Sequence, residues 1–178
     1  MWTVVIQAGG ASSRMGRDKA LLPFRGEPLI SRVYDRVKDL GDEILVVGKK
    51  LSDYTFLPVR IVEDQLPGYG PLGGLYTGFL CAKNPYVLVV ACDMPFLNAQ
   101  LLRVQQRLLV LGGHDVVVPS LDLGLEPLHA VYRREICLPQ VKRAIDNGER
   151  RAVSWFSQVS ARKLSEQEIR SVDDQMLS

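Results

Sequence analysis

Tyr86–Ala91 reads Tyr-Val-Leu-Val-Val-Ala, an apolar run with no alternation of polar and apolar residues. A strand with one wet face alternates; one that does not must bury both faces. Such strands belong to parallel sheets covered by crossover helices on either side. The rest of the chain supplies the partners. Trp2–Gln7, Glu43–Val47, Val59–Val62, Asp115–Pro119 and Leu128–Tyr132 read as further strands. Between them lie predicted helices over Pro28–Leu40, Leu75–Ala82, Ala99–Leu111 and Ile136–Asn147; in the first, Leu29, Val33, Val37 and Leu40 recur at helical spacing. Past Arg151 the pattern weakens, with one helix expected at Val153–Val159 and extended pieces around Lys163 and Val172. This order predicts an α/β fold, a three-layer α/β/α sandwich of Rossmann-like type around a mostly parallel mixed sheet. At 178 residues the chain is expected to form a single domain over residues 1–178.

The first strand ends in the most informative segment. Val4, Val5 and Ile6 stop at Gly9 and Gly10, a small-residue loop with Ser12 and Ser13 follows, and Arg14, Arg17 and Lys19 close it. Glycines bring backbone N–H groups close to anionic oxygens, and cations neutralise the charge those groups cannot. Strand, glycine turn and cations together suit a polyphosphate. Neither G-x-G-x-x-G nor G-x-x-x-x-G-K-[ST] can be read here, so dinucleotide and P-loop fingerprints are both excluded. Lys19 is placed to reach phosphates and to offset the charge of a departing pyrophosphate. Ser12 and Ser13 have no neighbouring base to activate them, and read as hydrogen-bond donors to phosphate rather than nucleophiles.

Two carboxylates fall at strand ends. Asp93 follows the most apolar strand, where it would either pair with a cation such as Mg²⁺ or cap a helix starting near Pro95. Asp64 follows Val59–Val62 and precedes a second glycine- and proline-rich loop, Gln65–Gly74; it would contact a ligand or initiate the loop as an Asx turn. Within that loop, Gly70 and Gly74 flank Pro71 and Leu72, a spacing that also suits a proline opening a helix. The two histidines, His114 and His129, lie far apart and support neither a zinc site nor a general base.

Composition narrows the class. A net charge of +2 without basic runs excludes nucleic acid as the expected partner. Nothing approaches a membrane span, and Met1–Ile6 is too short for a signal peptide. Cys81, Cys92 and Cys137 form no C-x-x-C pair and fit a reducing cytoplasm.

The glycine loop resembles the signature of the nucleotidyltransferases, most closely the molybdenum cofactor guanylyltransferases (MobA-like proteins), approximately L-A-G-G-x-S-x-R-M-G-x-D-K-A-L-L-x-x-x-G-x-P-L. The chain matches it at Ala8, Gly9, Gly10, Ser12, Arg14, Met15, Gly16, Asp18, Lys19, Ala20, Leu21, Leu22, Gly26, Pro28 and Leu29, with Gln7 where the family usually has Leu. Cys92–Pro95 is similar to the family's C-D-x-P motif, Gly70–Gly74 to its G-P-L-x-G, and Glu126–Tyr132 to its E-P-L-x-A-x-Y. The resemblance runs from about Val5 to Phe156. Members continue past a segment like Ser171–Asp174 into an N-x-N-T-P-E-D motif thought to face the pterin, which this chain does not contain.

The resemblance implies transfer of GMP from GTP to the phosphate of molybdopterin-bound molybdenum, with release of pyrophosphate. By the same resemblance, Lys19, Arg14 and Asp93 carry catalysis, with Mg²⁺ as cofactor on Asp93. Gln7, Ala8, Gly9, Gly10, Ser12, Lys19, Asp64, Gly70, Gly74 and Asp93 contact the nucleotide. Molybdoenzymes or cofactor-biosynthesis proteins are the implied protein partners. The alternatives are a related transferase using CTP or a sugar or alcohol phosphate, and a nucleotide binder without catalysis.

Overall fold

A computed structural model describes residues 1–8 and 18–174. Its strands are β1 (Trp2–Gln7), β2 (Pro23–Phe24), β3 (Glu27–Pro28), β4 (Glu43–Gly48), β5 (Arg60–Glu63), β6 (Tyr86–Ala91), β7 (Val116–Leu121), β8 (Gly124–Leu125), β9 (His129–Arg133) and β10 (Ala161–Leu164). Five α-helices cover them: α1 (Leu29–Val37), α2 (Pro71–Cys81), α3 (Ala99–Leu111), α4 (Arg134–Asp146) and α5 (Glu166–Arg170).

The main sheet runs β10-β7-β9-β6-β1-β4-β5, with β8 paired to β7; β2 and β3 form a separate hairpin. β6, β1, β4 and β5 are mutually parallel, as are β10 and β7, and β9 is antiparallel to both its neighbours. The sandwich expected from the sequence is the fold observed. As its lack of alternation requires, β6 is buried on both sides. Leu88 and Val90 join a core with Val4, Ile6 and Val46 under Ile30 and Val33 of α1 and Leu101 and Leu102 of α3. Val87 and Val89 join a second core with Val5, Leu45 and Val47 under Leu72, Leu75 and Phe79 of α2 and Val141 of α4. Each such side chain contributes roughly 1.5–3 kcal/mol on leaving water.

Three local expectations are corrected. The second crossover helix begins at Pro71, four residues before Leu75, because proline at the first helical position needs no N–H partner. Leu72, Gly73, Gly74 and Leu75 are all buried, so packing outweighs the turn character of the two glycines. Val153–Val159 forms turns and one 3₁₀ turn at Phe156–Gln158 rather than a helix. Adjacent Trp155 and Phe156 both enter a cluster with Tyr132, an arrangement that the turns supply. The Lys163 segment is strand β10, but Val172 lies in the turn after α5 instead of an extended piece. Helix α5 itself is not among the expected elements, although Ser165 and Glu168 form a full capping box at its start.

Candidate active site

After β5 the chain crosses to the far side of β1 to form β6, so the strand order switches direction at β1. Ligands of open α/β sheets bind at the C-terminal strand ends at such a point. Parallel pairing continues one residue past each strand there. Ala8 N donates to Val47 O (2.7 Å), Cys92 N to Gln7 O (3.1 Å) and Asp64 N to Gly48 O (2.8 Å). The residues singled out from the sequence therefore hang directly from the sheet.

Asp18 opens the second stem of the glycine loop. Its Oδ1 accepts from Ala20 N (3.0 Å), capping a 3₁₀ turn over Lys19–Leu21. From that turn Lys19 places Nζ 3.4 Å from Asp93 Oδ2, with both side chains nearly half exposed. An ion pair that wet adds little to stability, so its interest lies in what it juxtaposes. A second contact runs beside it: Phe24 meets Phe96 edge to face, ring centroids 5.7 Å apart. Helix capping, the alternative reading of Asp93, falls instead to Asn98, whose Oδ1 accepts from Gln100 N (2.9 Å) and Leu101 N (3.2 Å).

Gln7 joins the two halves of the site. Its carbonyl pairs with Cys92 beside Asp93, while its buried side chain donates from Nε2 to Pro71 O (3.3 Å) at the start of α2. Oε1 of Gln7 has no partner among the described residues. Gly74 makes that reach possible, since a Cβ there would stand 2.0 Å from Gln7 Nε2. Gly70 adopts φ +56°, ψ −132°, a conformation open to glycine and costly for other residues, and no side chain caps the helix that follows. Asp64 is buried and turned inward. Its Oδ1 accepts from Leu66 N (3.0 Å) and Thr77 Oγ1 (3.1 Å), the Asx-turn geometry, so it anchors the second loop from below.

Gly9, Gly10, Ser12 and Arg14 lie outside the described residues. His129 is a core residue, 3% exposed, and desolvation lowers its pKa from 6.5 to about 4 despite the opposing charge of Asp173. Burial, with the neighbouring Asp93 and Asp18 charges, pushes the Cys92 thiol up to about 12, which leaves it no nucleophilic role. Among the described residues no group of three or more His, Cys, Asp or Glu could hold a metal by itself. A groove of about 760 Å³ lies at the opposite end of the sheet, where Glu43 is already paired with Arg60 (3.5 Å) and Lys83 (3.9 Å).

Residues 4–164 match the family described as the MobA-like NTP transferase domain. The chain belongs to that family. A molybdenum cofactor guanylyltransferase of Desulfosudis oleivorans is 34% identical over 181 residues, covering 99% of this chain and 87% of the relative. A probable molybdenum cofactor guanylyltransferase of Pelotomaculum thermopropionicum is 34% identical over 172 residues, with 97% and 82% covered. The crystal structure of molybdopterin-guanine dinucleotide biosynthesis protein A from Archaeoglobus fulgidus superposes with a TM-score of 0.83 at 22% identity, over 99% of this chain and 89% of that one, and shows the shared fold. The family makes this chain a nucleotidyltransferase, and the fold places its Lys19–Asp93 pair at the switch point of the sheet. No helix among the described residues is long and apolar enough to cross a membrane.

Sequence reasoning misses Asp18 as a capping residue, Tyr54, whose hydroxyl donates to Asp18 Oδ2 (2.5 Å), and the Phe24–Phe96 contact. Asp18 carries a local signal, a short acidic side chain directly before a helical turn. Tyr54 carries none, because its contacts arise only when β4 stacks beside β1.

Proposed function

We propose that the protein transfers GMP from GTP to the terminal phosphate of molybdopterin-bound molybdenum and releases pyrophosphate. The observation that carries this reading is the Lys19–Asp93 pair, 3.4 Å apart at the sheet's switch point, in a chain 34% identical to a molybdenum cofactor guanylyltransferase over almost its whole length. An acceptor phosphate oxygen attacks the α-phosphorus of GTP in line. The new P–O bond forms as the α–β bridging bond breaks, and that electron pair leaves on pyrophosphate. An ionised phosphate is already nucleophilic and needs no general base, which agrees with His129 being buried in the core.

Asp93 fits Mg²⁺, which is commonly held by one or two carboxylates with the remaining positions filled by phosphate oxygens and water. Its carboxylate is partly exposed, faces Lys19 and is free of a capping role. Bound there, Mg²⁺ would neutralise charge on the phosphates. Lys19 adds a second positive charge on the same side, so catalysis is alignment plus charge neutralisation. Gly9 and Gly10, with Ser12 and Arg14, would complete the phosphate side, and Gln7 and Ala8 would anchor that loop to the sheet through their ladder hydrogen bonds. Gly70 leaves room for close approach of the nucleoside, Gly74 lets the Gln7 side chain reach the start of α2, and Asp64 contributes by fixing their loop.

Pyrophosphate release with GTP, CTP and ATP, each with and without molybdopterin, tests the proposal. Release with GTP that requires molybdopterin is expected. Release with CTP alone would overturn the choice of base, and release with none would overturn catalysis in favour of a binding role.

A further inference from the structure

Tyr54 lies on a 3₁₀ turn between β4 and β5, remote in sequence from both glycine loops, yet it is fully buried. Its ring rests on the backbone of Gly48, where a Cβ would come within 2.4 Å of Cε2. From that seat the hydroxyl donates to Asp18 Oδ2 at 2.5 Å and sits 3.5 Å from Ala8 O. Ala8 ends the stem that leaves β1, and Asp18 begins the stem that carries Lys19. One hydroxyl thus touches both.

Asp18 has its two oxygens committed in opposite directions. Oδ2 accepts from Tyr54 and Oδ1 accepts from Ala20 N, the cap of the turn that displays Lys19. A carboxylate with one oxygen fixed to a buried, rigidly packed ring cannot swing about its χ angles, so the cap and the turn above it inherit the position of the ring. Desolvation first, then the hydrogen bond to Asp18, raises the Tyr54 pKa, so the hydroxyl stays a donor.

We infer that Tyr54 is a positioning residue for Lys19: it acts through Asp18 to aim the ammonium at the space beside Asp93. This rests on the reading of Lys19 as the phosphate-binding cation. The ring packing serves stability, whereas the hydroxyl serves the site, and the two can be separated by one atom.

Tyr54→Phe removes the hydroxyl and keeps the ring on Gly48. Loss of a hydrogen bond to a carboxylate corresponds to roughly a tenfold effect. The variant should therefore bind Mg·GTP about tenfold more weakly by calorimetry and show about tenfold faster hydrogen exchange at the Ala20 amide. Asp18→Ala cuts the same tie from its other end without touching the buried ring, and should reproduce the loss of affinity. In a Lys19→Ala background Tyr54→Phe should cost no further affinity, which a residue of merely structural importance would not obey. Equal GTP affinity in Tyr54→Phe and the parent, or an additive loss on top of Lys19→Ala, would overturn the inference. Should the parent itself not bind GTP, the proposed function fails; an unchanged Ala20 exchange rate overturns the tie whatever the parent binds.

Discussion

Lys19 and Asp93, separated by 74 residues in sequence, face each other with Nζ 3.4 Å from Oδ2. Each comes from a loop leaving the C-terminal end of a strand, and those strands, β1 and β6, are hydrogen-bonded neighbours. Cation and carboxylate compensate each other in this arrangement, and the same two groups would part to meet phosphate and metal in the reaction proposed above.

Asp93→Asn keeps the size of the side chain and removes its charge. With metal affinity and charge neutralisation both impaired, kcat should fall by about 10²–10³-fold. Stability should change by less than about 1 kcal/mol, because the pair is exposed. Steady-state pyrophosphate release and thermal unfolding on the same preparation check both parts.

Gly74→Ala inserts a methyl group into the Gln7 amide, whose Nε2, Cδ and Cγ all lie within 2.8 Å of where the new Cβ would stand. Alanine favours the helix, yet the displaced glutamine has nowhere polar to go. A loss of about 1–3 kcal/mol is expected from overpacking, read from urea unfolding. Weaker GTP binding should accompany it, since Gln7 ties the start of α2 to β1.

His129 makes stability pH-dependent. Its folded pKa of about 4 lies below the ordinary 6.5, so the unfolded chain binds the proton more readily. Stability from this residue is complete above about pH 6.5 and declines as pH falls toward 4, by about 3 kcal/mol in all. His129→Gln removes that slope. Unfolding free energies at pH 7, 5.5 and 4.5 for both proteins should diverge in slope; parallel curves would contradict the assignment.

Trp155 joins Phe79, Tyr132 and Phe156 in the aromatic core beneath α2 and α4. Truncation to alanine should cost about 3–5 kcal/mol, as large core deletions do. Denaturant titration followed by circular dichroism measures it.

The sequence is most legible where chemistry and strand ends coincide. Gln7, Asp64 and Asp93 each follow or end an apolar run, and the sheet puts those three ends side by side through the pairings of Ala8, Asp64 and Cys92. Asp64 shows the limit of such reading. A carboxylate at a strand end can face a ligand or its own loop, and only the positions of Leu66 N and Thr77 Oγ1 decide how its Oδ1 is used. The Pro71 helix start is obscured because Gly73 and Gly74 read as turn residues, when they are there to let α2 lie close to Leu66 and Gln7. Tyr54 is invisible for a different reason. Its value comes from three segments brought together by tertiary packing, and no local window contains them.

The strand registers have a consequence for how such a chain can vary. Gln7 stands level with Val47 on one side and Ala91 on the other. Adding a residue at the exposed turn of Gly112 and Gly113, after α3, lengthens a connection and leaves both partners where they are. Adding one within β6 would advance Asp93 by about 3.3 Å and turn alternate side chains to the opposite face. The tolerance of this enzyme to insertion should thus differ sharply between the two places: permissive at the turn, prohibitive within the strand, with the ladder acting as the ruler against which the reacting groups are spaced.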